Sequence, residues 1–309
     1  MSGMNRGTGL LIIEVRNSNP NGDPDAESEP RTLEADGRGL ISPVSFKRKL
    51  RDLIGAANGP VWQAAVAALL LGSEGEANVY GILETRGRDR NLIGKMGAEE
   101  FSRTYWDGRV FGNTFLEAVK DAPDVAADKS KKKPAEEQKA SREHFISTGV
   151  VQFGPGISIA PIEVDRLTTT NKAGVQEGKD RGMAPLGWRV VRHAIYAMPF
   201  FVNPAAAGKT GCQKLDIDIL KFVLPHAYSN TASAIRPFVE IRHAWYAEHC
   251  NPLGSCPDSR ILDAMTPRKR ERPGEPSQRV DEYDIPTSLP EEVKARLASI
   301  EDLCTKSWK

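Results

Sequence analysis

The sequence predicts an α+β protein whose central elements follow the order β-α-β-β-α-β, the ferredoxin-like (RRM-like) arrangement shared by RNA-recognition modules. Three stretches carry this prediction. Residues 9–16 (GLLIIEVR) have the length and apolar content of a strand. A helix start follows at Ser42-Pro43, and residues 189–202 (RVVRHAIYAMPFFV) form a second apolar strand.

The first half of the pattern is a strand followed by a helix predicted over 43–57. Ser42 is suited to cap that helix, and Pro43 fits its first position, where a missing N–H costs nothing. Apolar residues then recur at helical spacing and predict a buried stripe. The strand residues expected on the core face are Leu11, Ile13 and Val15.

In the second half of the pattern, a long insertion and a hairpin interrupt the order of the core elements. We expect a helical insertion over 60–147, a core strand over 148–164 and a protruding β-hairpin over 165–189. The helix at 215–223 and the strand at 238–246 then complete the sheet within residues 190–260. Residues 261–309 are expected to be a loop-rich extension with one short helix near 290–300.

Composition excludes several classes of protein. The chain has 309 residues, 39% of them hydrophobic, and its longest apolar run, residues 64–71, falls far short of the roughly 20 residues that cross a bilayer. Residues 10–13 are too short for the hydrophobic region of a secretory signal, so we expect a cytoplasmic location with no membrane partner. Four cysteines are too few for a disulfide framework, which favours free thiols.

Net charge alone would argue against a nucleic-acid partner, because 42 Lys+Arg balance 41 Asp+Glu to leave a formal +1. The charges are segregated, however. An acidic block spans residues 14–36, and basic clusters occur at 47–51, 86–90, 129–133 and 268–272. A basic groove is therefore compatible with overall neutrality, although each cluster taken alone is also typical of a solvated surface.

Several motifs occur in a fixed order along the chain. Residues 19–25 read NPNGDPD, residues 39–42 read GLIS, and residues 45–51 read SFKRKLR. Residues 106–112 (WDGRVFG) and 149–152 (GVVQ) follow. This set resembles the CRISPR-associated Cas7 family, the repeated backbone subunits of type I Cascade complexes, and is most similar to the Csd/Csh branch of subtypes I-C and I-B.

The resemblance implies a hand-shaped subunit: a ferredoxin-like palm (1–59, 148–164 and 190–260), an inserted helical finger or web domain (60–147) and a β-hairpin thumb (165–189). It implies binding of crRNA, head-to-tail polymerisation with copies of the same chain, and presentation of the guide for pairing with target DNA. Further implied partners are a Cas5-like subunit, large and small Cascade subunits and a recruited nuclease-helicase. The backbone subunit itself is implied to be no enzyme and to need no cofactor.

The helix start at Ser42 is the strongest chemical feature of the sequence. Free N–H groups, the helix dipole and a hydroxyl make such a terminus suited to an anion, and Lys47, Arg48 and Arg51 follow on one flank of the same helix. A capped amphipathic helix with a solvated basic face is the alternative. With the resemblance, the predicted RNA-binding residues are Asn19, Asn21, Ser42, Ser45, Lys47, Arg48, Arg51, Gln152, Arg166 and Met183.

The NPNGDPD segment has three interpretations. It is a turn that ends the strand, or a binding loop in which Asn19 and Asn21 offer amides to ribose and phosphate, or a metal site through Asp23 or Asp25. The third interpretation would make the chain a metal-dependent ribonuclease, as in type III relatives, although Pro24 separates the two carboxylates. A self-assembling scaffold without nucleic acid is a further alternative.

The remaining candidates are weaker. Gln152 either contacts RNA or caps a strand edge, and Arg109 belongs either to a core ion pair or to the RNA surface. Trp106 and Phe111 are expected in the core. The histidine and cysteine residues between 243 and 256 lack the paired spacing of structural zinc sites, so we predict neither metal nor cofactor.

Overall fold

A computed structural model of the chain describes residues 3–72, 79–85, 93, 96–114, 146–170 and 185–307. It shows a mixed α/β protein with a large antiparallel sheet. The helices are α1 (Pro43–Gly55), α2 (Pro60–Leu69), α3 (Ala98–Thr104), α4 (Trp106–Phe111), α5 (Ala207–Thr210), α6 (Lys214–Val223), α7 (Asp258–Met265), α8 (Glu291–Lys294) and α9 (Leu303–Ser307).

The strands are β1 (Gly7–Ser18), β2 (Gly22–Asp23), β3 (Glu29–Pro30), β4 (Arg38–Ile41), β5 (Gly112–Thr114), β6 (Ile146–Thr148), β7 (Val151–Phe153), β8 (Gly156–Pro161), β9 (Val164–Thr170), β10 (Pro185–Val202), β11 (Val239–His249), β12 (Arg268–Lys269), β13 (Tyr283–Asp284) and β14 (Leu297–Asp302). Within the described residues, the main sheet has eight strands. Its order is β14-β11-β1-β10-β8-β4, and β7 and β9 also pair with β10.

Strand β1 lies at the centre of this sheet and is buried on both faces. It pairs antiparallel with β10 on one side and with β11 on the other, so that Leu11 lies opposite Met198 and Ala244. Leu11, Ile13 and Val15 join the core beneath α1 and α6, as predicted, while Leu10 and Ile12 pack against α7 and the C-terminal segment. A strand covered on both faces explains the unbroken apolar run in its sequence.

Helix α1 begins where its sequence predicts. Ser42 has extended backbone angles (φ −73°, ψ 142°), Pro43 occupies the first helical position, and Phe46 and Leu50 are completely buried against the sheet. The predicted end at residue 57 is wrong by two residues, because the helix ends at Gly55 and an Asn58-Gly59 turn precedes α2.

The segment predicted as one strand over 148–164 contains the last residue of β6, the complete strands β7 and β8, and the first residue of β9. Strands β7 and β8 are separated at residues 154–155, where Gly154 N–H donates to Pro199 O (2.8 Å) and its Cα lies close to the Pro199 ring. The Gly-Pro-Gly sequence breaks regular pairing at this point, as a glycine within a strand commonly does. The hairpin flanks are β9 and β10, and the residues between them lie outside the described part.

The C-terminal extension contributes more to the sheet than its sequence predicts. The short helix expected near 290–300 is limited to α8, and residues 297–302 form β14 at the sheet edge. Asp302 fixes this strand, because its carboxylate accepts from Ala244 N–H (2.9 Å) and contacts His243 (2.7 Å). Pairing with a strand about 55 residues away overrode the local helical preference.

The described parts of the insertion are α2, α3, α4, β5 and β6. Phe101 packs with Leu83 and Ile93 in a small core of their own, and Trp106 joins the main core. The basic clusters predicted at 86–90 and 129–133 and the loop at 121–140 lie outside the described residues. Within the described residues, no helix is long and apolar enough to span a membrane.

Candidate nucleic-acid interface

The start of α1 and the NPNGDPD loop form one structure. Ser45 N–H donates to the Ser42 hydroxyl (3.2 Å), and Ser42 N–H donates to the side-chain oxygen of Asn21 (2.7 Å). Three predicted site residues therefore come together. In the described part of the chain, the neighbouring Val44 N–H has no acceptor and remains available to a ligand.

Asn19 faces the interior, in contrast to Asn21. It is only 3% exposed, and its amide nitrogen donates to Ser28 O (2.7 Å) and to Arg189 O (3.2 Å). Arg189 in turn contacts the carboxylates of Glu27 (2.7 Å) and Glu29 (3.4 Å). The amide of Asn19 thus holds the loop to the base of the β9–β10 hairpin, and a contact of Asn19 with RNA stays a prediction.

The two aspartates of the loop have the contacts of a turn. Asp23 accepts from Asp25 N–H (3.1 Å), and the same carboxylate oxygen lies 3.4 Å from Arg31. Asp25 is exposed. The turn interpretation accounts for the position of both residues, since an aspartate that accepts from the backbone two residues on is a common turn element.

Two of the three predicted basic residues on α1 are bound to acidic partners. Arg51 is 13% exposed and lies 2.8 Å from Asp107, which is 1% exposed and also accepts from Leu83 N–H (2.7 Å). Arg48 contacts Asp52 on the next helical turn (2.7 Å) and donates to the carbonyl of residue 84 (3.1 Å). These contacts connect α1 to the insertion, which the sequence did not predict.

Lys47 is the cation of this flank that keeps no acidic partner among the described residues. Its ammonium lies 5.2 Å from the ring centre of Phe111, and Arg51 lies over the same ring at 5.3 Å. Burial lowers the pKa of Lys47, and the nearby positive charge of Arg51 lowers it further. An anion bound beside Lys47 would stabilise the charged form of its ammonium.

The structure adds two cations that sequence reasoning missed, Lys49 and Arg236. Lys49 is 8% exposed and makes no hydrogen bond or ion pair with any described residue. Burial lowers its pKa to about 8, with Arg236 as the next largest cause. Lys49 follows Ser42 by seven residues, a spacing that signals a shared helix side, whereas no local signal pointed to Arg236.

The other predicted site residues lie apart from α1. Gln152 is exposed on β7 and donates to Gly149 O (3.2 Å), which fits the edge-capping interpretation. Arg166 is exposed on β9 opposite Arg189 and has no partner among the described residues. Met183 lies outside the described residues.

Arg109 is a core residue. It forms a fully buried ion pair with Asp216 (2.8 Å) and donates to the carbonyls of Ser102 (2.8 Å) and Arg103 (2.9 Å). Trp106 and Phe111 are buried with it, as predicted. The WDGRVF segment therefore fixes the insertion to α6 and does not form part of an exposed surface.

Among the solved structures that are similar to this chain, two have low sequence identity and belong to CRISPR complexes. One, a chain of a "CRISPR RNA-guided surveillance complex, pre-nicking", has 13% sequence identity and a TM-score of 0.45, with 79% of this chain and 78% of that chain covered. The other, from a "CRISPR RNA-guided surveillance complex", has 16% identity and a TM-score of 0.41, with 84% and 75% covered.

The sequence comparisons extend over most of the chain. A CRISPR-associated protein Cas7 from Haloferax volcanii is 25% identical over 254 residues, which are 76% of this chain and 67% of that protein. The family model for CRISPR-associated protein Cas7 matches residues 5–288. This match, which includes the α1 helix start, the NPNGDPD loop and the WDGRVFG segment, shows that the chain belongs to the CRISPR-associated Cas7 family.

Proposed function

We propose that this chain is the crRNA-binding backbone subunit of a type I CRISPR Cascade complex, of the Csd/Csh branch. Copies polymerise head to tail along the guide RNA in the cytoplasm and present it for pairing with target DNA. A Cas5-like subunit, large and small subunits and a recruited nuclease-helicase complete the assembly. Membership of the Cas7 family supports this proposal, together with the charges and donors on α1.

The observation that carries the proposal is the set of donors at the start of α1. The Val44 N–H, the hydroxyls of Ser42 and Ser45, and the Lys47 ammonium lie within two helical turns. All of these groups can bind phosphate and sugar oxygens, which are the same at every position of an RNA. A guide whose sequence differs from one spacer to the next requires contacts of this kind.

The strand order supports the hand-shaped architecture. We assign strands β1, β8, β10 and β11 with helices α1 and α6 to a βαββαβ palm of the ferredoxin-like kind, and their order in the sheet, β11-β1-β10-β8, supports this assignment. We assign β9 and the first half of β10 to the thumb. We also assign residues 60–147 to the finger or web domain and residues 261–309 to the extension, whose described apolar residues pack on the second face of the sheet.

The proposed role is non-catalytic. Asp23, the candidate metal ligand of the ribonuclease alternative, uses one carboxylate oxygen for Asp25 N–H and Arg31. We therefore expect no cleavage of a bound target RNA in the presence of Mg²⁺. Cleavage that disappears in Asp23→Ala or Asp25→Ala would establish the ribonuclease function instead.

The test is RNA binding by the purified chain. The proposal expects copurified RNA, seen as raised absorbance at 260 nm, and assemblies of several sizes, because a head-to-tail contact does not close into a ring of fixed size. After nucleic acid is removed, Lys47→Ala should weaken binding of a uridine oligonucleotide by about tenfold, the value of one charge-assisted contact.

The matched control is Lys214→Ala. Lys214 is 70% exposed on α6 and pairs with Asp218 one helical turn away. Its loss should leave the RNA affinity unchanged. A chain that purifies as a monomer without RNA, and that binds no oligonucleotide at low salt, would overturn the proposed function.

A further inference from the structure

We infer that Lys49 and Arg236 form a second phosphate site, on the side of α1 opposite to Lys47, which takes a phosphodiester of the same bound RNA. This inference rests on the proposed function. It assigns binding to two residues that lie outside the predicted basic flank. It also divides the RNA-contacting groups of α1 between two sides of the helix.

The spacing of α1 residues defines these two sides. Ser42, Ser45 and Lys49 are separated by three and four residues, so they lie along one side of the helix. Lys47 and Arg51, four residues apart, lie on the other side against Phe111. The helix start between them bears the free Val44 N–H.

Among the described residues, no carboxylate forms an ion pair with the Lys49 ammonium. Asp52, on the same helix, raises the pKa of Lys49 only as a minor cause and is bound to Arg48 at 2.7 Å. After burial, the next cause that lowers the pKa of Lys49 is the positive charge of Arg236. An unpaired buried cation is costly, and a like charge beside it raises the cost, so an anionic ligand is the natural partner.

Arg236 is held in place by the loop that also supports the helix start. Its Nε–H donates to Asn19 O (3.3 Å), and Asn19 N–H donates to the carbonyl of Ile235 (2.9 Å). The guanidinium therefore has a fixed position while its other nitrogens have no acceptor among the described residues. A guanidinium fixed in this way is suited to a phosphate, which accepts two parallel hydrogen bonds.

The chemistry favours a phosphodiester over an acidic side chain. The Ser45 hydroxyl lies one helical turn before Lys49 on the same side of α1, so a hydroxyl donor and an ammonium donor share that side. A phosphate offers acceptors in several directions, whereas a carboxylate offers them in one plane. The site is also continuous with the proposed RNA contacts at Ser42, so the same backbone can reach both.

The first experiment compares Lys49→Met with wild type in binding of a uridine oligonucleotide across a salt series. The inference expects about tenfold weaker binding and a slope of log affinity against log salt that falls by about 0.7, the loss of one phosphate contact on a single strand. Lys49→Arg, which keeps the charge, should retain most of the affinity. A Lys49→Met variant with unchanged affinity and slope would overturn the inference.

The Lys47→Ala variant makes the two failures distinguishable. If Lys47→Ala weakens binding while Lys49→Met does not, the proposed function stands and the second site is wrong. If neither wild type nor variants bind RNA, both fail. In a parallel arm, inorganic phosphate should raise the melting temperature of RNA-free wild type more than that of Lys49→Met if the site recognises phosphate; equal shifts would count against it.

A pH series tests the same site with a different readout. The charged groups that face Lys49 are Arg236 from the segment before β11 and Asp52 and Arg48 from α1. Because Lys49 is half-protonated near pH 8 in the free chain, RNA affinity should fall between pH 7 and 9. The fall should be smaller in Lys49→Arg, and an identical fall in both proteins would contradict the inference.

Discussion

Two buried lysines, Lys49 on α1 and Lys269 on β12, show how differently one fold uses its basic clusters. The Lys269 side chain is 4% exposed, lies 3.7 Å from Glu282 and donates to three backbone carbonyls, those of Arg272, Glu275 and Pro276. Lys49 is similarly buried and has no such partner among the described residues. The first lysine is satisfied within the fold, and the second is not.

The same contrast extends to the neighbours of each lysine. In the cluster at 268–272, Arg270 pairs with Asp284 (2.6 Å) and Arg272 with Glu275 (3.4 Å), while Arg268 is exposed to water. On α1, Lys49 is buried and Lys47 is half-buried, and neither has an acidic partner among the described residues. An unpaired cation costs little free energy when it is exposed to water, whereas a buried one is costly, which indicates that a ligand supplies its partner. Local charge density alone does not separate the two cases.

The largest effect is expected at the ion pair that connects α1 to the insertion. Asp107→Asn removes the charge that compensates Arg51 and weakens acceptance from Leu83 N–H, so it should lower the free energy of unfolding by about 3 kcal/mol in urea. Asp284→Asn removes the exposed partner of Arg270 and should cost about 0.5 kcal/mol or less. Equal losses of unfolding free energy in the two variants would show that the burial of an ion pair does not distinguish the cluster on α1 from the cluster at 268–272.

The next effect concerns pH and the stability of the RNA-free chain. The folded pKa of Lys49 is about 8, below its unfolded value near 10.4, so between these values the unfolded chain binds more protons and stability rises with pH. The unfolding free energy of wild type minus that of Lys49→Met should therefore increase by about 2 kcal/mol from pH 8 to pH 10. This subtraction removes the contribution of tyrosines and other lysines.

The sign of this change matters more than its size. Stability of the free chain is expected to rise from pH 8 to pH 10, whereas RNA affinity falls between pH 7 and 9. Both follow from the deprotonation of Lys49, which relieves an unpaired buried charge and removes a cation that binds phosphate. A difference that stays flat from pH 8 to pH 10 would show that Lys49 reaches solvent freely. Lys49 would then not be a buried lysine that lacks a partner, and it could not be contrasted with Lys269.

The sequence predicted those strands and helices that depend on residues close together in the chain. The apolar run at 9–16 and the Ser42-Pro43 helix start gave β1 and α1 within two residues of their bounds. Strand β14 was missed because its pairing partner, β11, is remote in sequence. At the candidate site, the contact between Arg51 and Asp107 spans 56 residues. The unpaired state of Lys49 likewise depends on which residues the fold brings near it.

Replacing each of the two lysines by Met is expected to change the free energy of unfolding in different directions. Lys269→Met removes the donor that Lys269 supplies to three carbonyls, and it removes the cation that lies 3.7 Å from Glu282, so it should cost about 1–2 kcal/mol of stability. Lys49→Met removes an unpaired buried charge and should leave the free energy of unfolding unchanged or raised. Urea unfolding at pH 7 measures both, and a loss in Lys49→Met as large as that in Lys269→Met would show an interaction within the fold.

The smallest effect is expected from the exposed part of the second cluster. Replacing Arg268, Arg270 and Arg272 together by Ala removes three positive charges, yet two of them are neutralised by Asp284 and Glu275. Affinity for a uridine oligonucleotide at 150 mM salt should change by less than about twofold, because exposed charges beyond a Debye length of about 8 Å are screened. A loss as large as that in Lys47→Ala would place RNA on the 268–272 surface as well. The distinction between the clusters would then depend on total charge and not on burial and pairing.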